Sequence, residues 1–258
     1  MSAAHDTPLA LIGYPPETAR ALRELGLTAL SVPTEPLADV LAACAALGAP
    51  GALVAAAQQG SVLSAAHPDT AATRAGSADA LSFAGGQHGQ PSRANATHTL
   101  PDALLDALED SGYPVRGANA LIVGQAGDLG AGMALTRLGL GSLTLAAASR
   151  PEAEALARDL PAGFRAQFTA RNDPALVTLA ERADLIVLTA GTLPPGVLQP
   201  FHALLDLTGR AGGAATRAGA SLVPLARLPD LRLARRLSHA TGQRFAPDAL
   251  TALARLLP

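Results

Sequence analysis

Short apolar runs of strand length alternate with amphipathic runs of helix length along almost the whole of this chain, and no other feature limits its fold so tightly. A strand that reads apolar throughout is buried on both faces, and a helix between two such strands has to lie on a sheet face. The pattern is therefore that of a parallel sheet flanked by helices. In the first half Leu9–Gly13, Ala29–Val32 and Gly51–Val54 read as strands, with helices at Pro16–Leu25 and Leu37–Leu47 between them. Between Ala65 and Thr99 the helical pattern fades into Gly85-Gly86-Gln87-His88-Gly89, a tight connection between two short strands, and a helix resumes over Pro101–Gly112.

The alternation then starts afresh. Strands are expected at 118–123, 142–147, 164–168, 184–189 and 202–207, with helices at 128–139, 151–160 and 174–182 between the first four of them. Two closing helices follow at Leu228–Thr241 and Pro247–Leu257. A chain of 258 residues suits two α/β domains, with the break near Pro101.

Composition removes several chemistries. All 19 cationic side chains are arginine, so no lysine exists to form a Schiff base, act as a general base or sit in a Walker-type phosphate loop. A formal net charge of -2 without a basic run argues against nucleic acid and anionic membrane as partners, leaving a small-molecule substrate or ligand. The lone Cys44, set among Ala and Leu, reads as a small core residue in a reducing cytoplasm. The start of the chain lacks the basic region of a signal peptide, and the uncharged stretch Val40 to Ala57 is broken by Gly48, Pro50 and Gly51 into helix, turn and strand. No histidine pair has metal-ligand spacing and no serine stands in a Gly-x-Ser-x-Gly turn, so neither a metal site nor Ser-His-Asp hydrolysis is expected.

The strongest chemical signal is Gly124-Gln125-Ala126-Gly127-Asp128-Leu129-Gly130, where a strand hands over to a helix. Glycines there let backbone approach a pyrophosphate, and the free amides at the start of the helix favour its charge. At the end of the next strand, Ser149-Arg150 offers a cation to the 2′-phosphate of NADP, where an acidic residue would read the ribose hydroxyls of NAD. The same glycines could instead serve helix–sheet packing alone.

With these residues in place, the chain resembles the shikimate dehydrogenase family over most of its length. The segment "LIGYP" is similar to that family's opening strand, "LGAPGALVAAAQQ" to its Gly-x-Asn-Val-Thr-x-Pro-x-Lys and "ATRAGSADAL" to its Gly-Ala-Val-Asn-Thr. "RANATHT" resembles Gly-x-Asn-Thr-Asp, "GQAGDLGAG" the NADP loop, "ASRPEAEALA" the Asn-Arg-Thr region and "ADLIVLTAG" the strand leading to Asn-Ala-Thr-Pro. The resemblance implies an α/β substrate-type domain of residues 1–100 plus 225–258, whose last helices return to it, and a Rossmann NADP-binding domain of residues 101–224. It implies NADP as cofactor, held by Gly124 to Leu129, by Ser149 and Arg150, and by Thr189, Ala190 and Gly191. A cytoplasmic monomer or homodimer fits this family.

The departures fall on the chemistry. Gln59 stands where the family keeps its catalytic lysine and Thr97 where it keeps the partner aspartate, and a glutamine cannot exchange a proton at neutral pH. The family's asparagines that hold the substrate correspond to Leu53 and Asp79, its threonine to Ala55, and its Ser-x-Ser falls in a gap after Gly13-Tyr14-Pro15. Asn95 alone keeps the family residue, so Asp79 and Asn95 are the candidate substrate-binding positions. Three functions follow: an NADP-dependent oxidoreductase of shikimate dehydrogenase type with a degenerate catalytic site; an NADP-binding regulator or interaction protein without catalysis; or an oxidoreductase of a less polar substrate using His67, His88 or His98 as proton carrier. All three histidines read as surface residues, His67 in a turn.

Overall fold

The computed structural model describes residues 8–24, 26–84 and 93–257. The connection at Gly85-Gly86-Gln87-His88-Gly89 lies outside them. The chain divides into two compact units: residues up to Ala103 together with those from Arg227 onward, and Leu104–Ala226.

The first unit begins β1 (Leu9–Ile12), α1 (Pro16–Glu24), β2 (Ala29–Val32), α2 (Leu37–Ala46) and β3 (Gly51–Val54), and continues through two 3-10 turns to β4 (His67–Pro68), α3 (Thr70–Ala75), β5 (Ala80–Ala84) and β6 (Arg93–Thr97). The strands lie in the order β2-β1-β3-β5-β6-β4. β1 is parallel to β2 and β3, but β5 runs antiparallel to both β3 and β6, so the sheet is mixed where a parallel one is expected. For β5 and β6 the reason is length: a parallel crossover needs a dozen or more residues, and fewer separate Ala84 from Arg93. His67 is not in a turn. It pairs with Asn95 as the first residue of β4, an edge position that tolerates the missing N–H of Pro68, and the Asp69 carboxylate then caps α3 by accepting from Ala72 N at 2.7 Å.

The period of two along β1 decides which face each side chain takes. Leu9 and Leu11 pack with Leu53 against Leu233, Leu237 and Leu253, while Ala10 and Ile12 pack with Ala52 and Leu81 against Leu41 and Val62. Cys44 belongs to the second of these cores, and burial pushes its thiol pKa up, against a smaller opposing effect of its backbone hydrogen bond. The stretch from Val40 resolves as α2, a turn and β3; among the described residues no helix is long and apolar enough to cross a membrane.

The helix α4 (Leu100–Ser111) leads into the second unit, which runs β7 (Asn119–Val123), α5 (Ala126–Met133), β8 (Ser142–Ala147), α6 (Arg150–Ala155), β9 (Ala166–Ala170), α7 (Ala175–Ala180), β10 (Leu185–Leu188), β11 (Ala203–Asp206), α8 (Gly212–Ala218) and β12 (Ser221–Leu222). Its sheet is parallel throughout, in the order β12-β11-β10-β7-β8-β9, the doubly wound Rossmann arrangement whose strand order reverses between β7 and β10. β7 and β1 therefore belong to separate sheets.

Several local expectations shift. α5 and α6 each finish in a 3-10 turn, at Ala134–Leu138 and Leu156–Asp159. The strand expected at 164–168 starts at Ala166, because Phe164 N is still closing a turn on Pro161 O at 3.1 Å. α8 and β12 are unforeseen: Gly212–Ala218 is too rich in Gly and Ala to show an amphipathic period. The chain returns to the first unit as α9 (Leu228–Thr241), and the helix expected over 247–257 is a 3-10 turn at Pro247–Leu250 followed by the short α10 (Thr251–Ala254).

α9 lies against β3 and β5. A Cβ built on Gly51 would stand 2.2 Å from Leu81 O and 2.3 Å from Ala240 O, so only glycine lets the helix and the strands approach this closely.

Candidate functional site

In the second unit, β7 ends at Val123 beside Leu188 of β10, which brings Gly124 next to Thr189. A Cβ on Gly124 would lie 1.9 Å from Thr189 Oγ1, so the turn has to be glycine, and Thr189 N and Oγ1 both donate to Val123 O, at 2.9 and 3.3 Å. Gln125 is extended and its side chain does not cap α5, whose first amides point out of the helix start, the arrangement that favours an anion. Asp128, exposed in the first turn, suits the helix dipole but opposes a phosphate. The close helix–sheet packing falls to a residue the sequence reading passes over: a Cβ on Gly132 would stand 2.8 Å from Ile122 Cγ2. A bare backbone turn beneath an uncapped helix, at the strand-order reversal, fits the pyrophosphate of a dinucleotide.

Ser149 and Arg150 follow β8 on the neighbouring strand. The Ser149 hydroxyl accepts from Glu152 N at 3.4 Å and so caps α6, while Arg150 Nε donates to Glu154 Oε1 at 2.7 Å. Arg150 remains largely exposed, and its partner sits one helical turn on. A second cation, not singled out in the sequence, follows β9: Arg171 donates from Nη2 to Thr192 O at 3.0 Å and lies against Gly191, where an added Cβ would meet its guanidinium at 2.7 Å. Gly124, Gln125, Ser149, Arg150 and Thr189 thus gather at the carboxyl ends of three adjacent strands.

In the first unit, the residues aligned with the substrate end meet a different fate. Gln59 Nε2 donates to Val54 O at 3.3 Å. The same carbonyl accepts from Tyr14 Oη at 3.4 Å and from Arg236 Nη2 at 3.2 Å. Arg236, only 1% exposed, reaches Leu257 O through Nη1 and Asp79 O through Nε, and its Nη2 also donates to the Tyr14 hydroxyl. Each end of this guanidinium is satisfied by the chain itself, as a buried charge requires.

Asp79 has no exposed surface. Its Oδ1 accepts from Thr99 N at 2.9 Å, and its Oδ2 accepts from Thr99 Oγ1 at 2.9 Å and from Arg232, whose Nη2 lies at 2.8 Å. Burial alone pushes this carboxyl pKa up, but Arg232, Arg236, His98 and the Thr99 amide together hold it below its ordinary value. The carboxylate expected to hold substrate is engaged by the chain's own donors. Leu53 is buried in the core. Asn95 differs from both: its side chain is exposed and carries no hydrogen bond among the described residues, while its backbone oxygen accepts from His239 Nε2 at 3.3 Å.

Thr97 donates its hydroxyl to Asp69 Oδ2 at 2.6 Å. A carboxylate therefore stands one hydrogen bond from the position where the resemblance implies one, supplied by a residue 28 positions earlier. His67 is exposed on β4; His98, read as a surface residue, is half-buried and meets Ser77 Oγ through Nδ1 at 3.3 Å. His88 lies outside the described residues. Among the described residues no three His, Cys, Asp or Glu side chains come together to hold a metal ion.

No protein-family model and no curated protein sequence matches this chain. Solved structures do. A shikimate 5-dehydrogenase from Listeria monocytogenes, in complex with shikimate and NAD, superposes with a TM-score of 0.74 at 16% identity over 98% of both chains. A shikimate 5-dehydrogenase from Thermus thermophilus, in complex with NADP(H) and shikimate, gives 0.68 at 21% identity over 97% of this chain and 99% of the other. A 5-ketofructose reductase of Gluconobacter sp. strain CHM43 gives 0.68 at 15% identity over 98% and 99%. This chain has the two-part α/β fold of shikimate dehydrogenases, with a Rossmann sheet in its second unit.

Proposed function

We propose that this chain is an NADP-dependent oxidoreductase of shikimate dehydrogenase type whose substrate end has lost the family's acid–base pair. The observation that carries the reading is the glycine turn at Gly124 beneath the uncapped start of α5. Bound there, the cofactor supplies a hydride acceptor. The backbone of Gly124 to Leu129 takes the pyrophosphate, and Arg150 takes the 2′-phosphate by a charge-assisted bond. Asn95, with its free exposed amide, offers a donor and an acceptor to a substrate hydroxyl. Gln59 neither gives nor takes a proton, so shikimate itself is a poor substrate. The 5-ketofructose reductase supports the view that this fold serves more than one small molecule.

A second reading is favoured by the engagement of Gln59 with Val54 O and of Asp79 with Arg232: an NADP-binding protein without turnover. One experiment separates them. NADP is titrated directly, and its reduction is followed over pH 7–10 with shikimate, quinate and a panel of hydroxy acids. Saturable NADP binding is expected, with shikimate oxidation about 10²–10⁴-fold below that of an enzyme holding the acid–base pair. Gln59→Lys alone is expected not to restore it, and Gln59→Lys/Thr97→Asp is the variant to compare. Robust shikimate turnover by the native chain overturns the lost-pair reading, and absence of NADP binding overturns both.

A further inference from the structure

The opposite end of the Rossmann sheet carries a second concave surface. At the amino ends of β7, β8 and β9, beside the last turn of α7, a groove of about 450 Å³ is bounded by Ser142, Thr144, Arg165, Gln167, Leu179 and Arg182. That volume lies within the usual range of small-molecule sites, roughly 300–1,000 Å³. Its register explains the lining: Thr144 of β8 pairs with Gln167 of β9, so both side chains leave the sheet on the same face, and Arg165 lies two residues before Gln167 and shares that face. α7 covers only part of it, since its last residue is Ala180 and Arg182 follows beyond the helix.

What marks this groove is its unengaged donors. The side chains of Arg165, Arg182, Gln167 and Thr144 make no hydrogen bond or ion pair among the described residues. The acid beside them, Asp184, is held by Asn119 through its N and Nδ2, at 2.9 and 3.2 Å, and Asn119 in turn accepts from Ser142. Glu181, next to Arg182, is exposed. Arg165, Arg182, Gln167 and Thr144 therefore line one concavity, and on the same face of the sheet Leu179 and Ala183 supply its apolar wall.

We propose that this groove binds a small organic oxyanion, a phosphate ester or a carboxylate, with its charged group between Arg165 and Arg182 and its carbon skeleton on the apolar wall. Two arginine forks suit planar or tetrahedral oxyanions, which they meet with paired N–H donors. The site is separate from the glycine turn, which lies at the carboxyl end of β7, and the proposal stands whether or not the chain turns over NADP.

The test uses the full chain, with inorganic phosphate, glycerol 3-phosphate and succinate as anionic probes and glycerol as the neutral one. Dissociation constants come from calorimetry, and the amide chemical shifts of Thr144, Gln167 and Arg182 report where a probe binds. An anion is expected to move these amides saturably, and the Arg165→Gln/Arg182→Gln variant to bind it at least roughly tenfold more weakly. The amides of Gly127 and Leu129 report any phosphate captured at the cofactor turn, and the double variant is expected to leave that capture unchanged, which separates the two sites. Phosphate against succinate decides which oxyanion the groove prefers. The proposal is overturned if no anion moves these amides, if the double variant binds as the native chain does, or if glycerol binds as tightly as its phosphate ester. Both arginines are exposed, so unaltered thermal unfolding of the double variant without ligand checks its fold.

Discussion

Single residues set the balance of cofactor affinity. Arg150 faces two anions: the 2′-phosphate proposed for it and the Glu154 carboxylate already on its Nε. Arg150→Ala is expected to weaken NADP by about 1.5–3 kcal/mol and leave NAD almost unchanged. Glu154→Gln is expected to act the other way. The pair is exposed, so its release strengthens NADP only about two- to fivefold. Titration of both cofactors with each variant checks this; equal losses for NAD and NADP in Arg150→Ala would make the arginine structural. His202 sets a different balance. It is 1% exposed, its Nδ1 accepts from Gln199 N at 2.9 Å, and its Nε2 must then carry the hydrogen that meets Ala180 O at 2.9 Å. Burial lowers its pKa below the ordinary 6.5, against smaller opposing effects of the Ala180 carbonyl and Asp184. The unfolded chain therefore takes up a proton more readily than the folded one. The stability this neutral ring contributes is present above about pH 6.5 and is lost as the pH falls below it. Denaturant midpoints between pH 5 and 8 are expected to fall more steeply on the acid side for the native chain than for His202→Gln; parallel curves would exclude this role.

Elements whose signal is local are the ones a reader of the sequence recovers. The strands at 29–32, 51–54 and 142–147 stand where their apolar runs place them, and the glycine turn follows β7 as its spacing implies. What escapes is made by distance. Arg236 meets Asp79 O across 157 positions and Tyr14 across 222, and no window of sequence contains both partners. The Asp69 carboxylate that reaches Thr97 is hidden in the same way, because as a residue it signals only the cap of α3. Short elements such as β4 and β12 have too few residues to show a period at all. The seat of α9 is the element most exposed to a single change. Gly51→Ala would drive a methyl into two carbonyl oxygens and is expected to cost about 3 kcal/mol. The denaturant midpoint should fall at an unchanged slope, and a loss below about 0.5 kcal/mol would show that the helix can retreat.

At the scale of the whole molecule, one unit is continuous in sequence and the other is not. Residues 104–226 hold all six strands of their sheet, whereas Leu9, Leu11 and Leu53 are covered by Leu233, Leu237 and Leu253 from the far end of the chain. A chain ending at Ala226 is expected to keep protease-resistant β7 to β12 and to expose β1 and β3. Equal hydrogen-exchange protection of the β1 and β3 amides in the shortened and full chains would refute this. The seat of α9 also carries a consequence for the order of birth. A ribosome adding roughly 5–20 residues per second releases the first sheet, then all of the second, and only after an interval on the order of ten seconds the helix that closes the first. During that interval one leucine-lined face has no lid of its own, so the first-made part of the protein stays incomplete until the last-made helix arrives, and a stop in the last coding stretch harms that first-made part most.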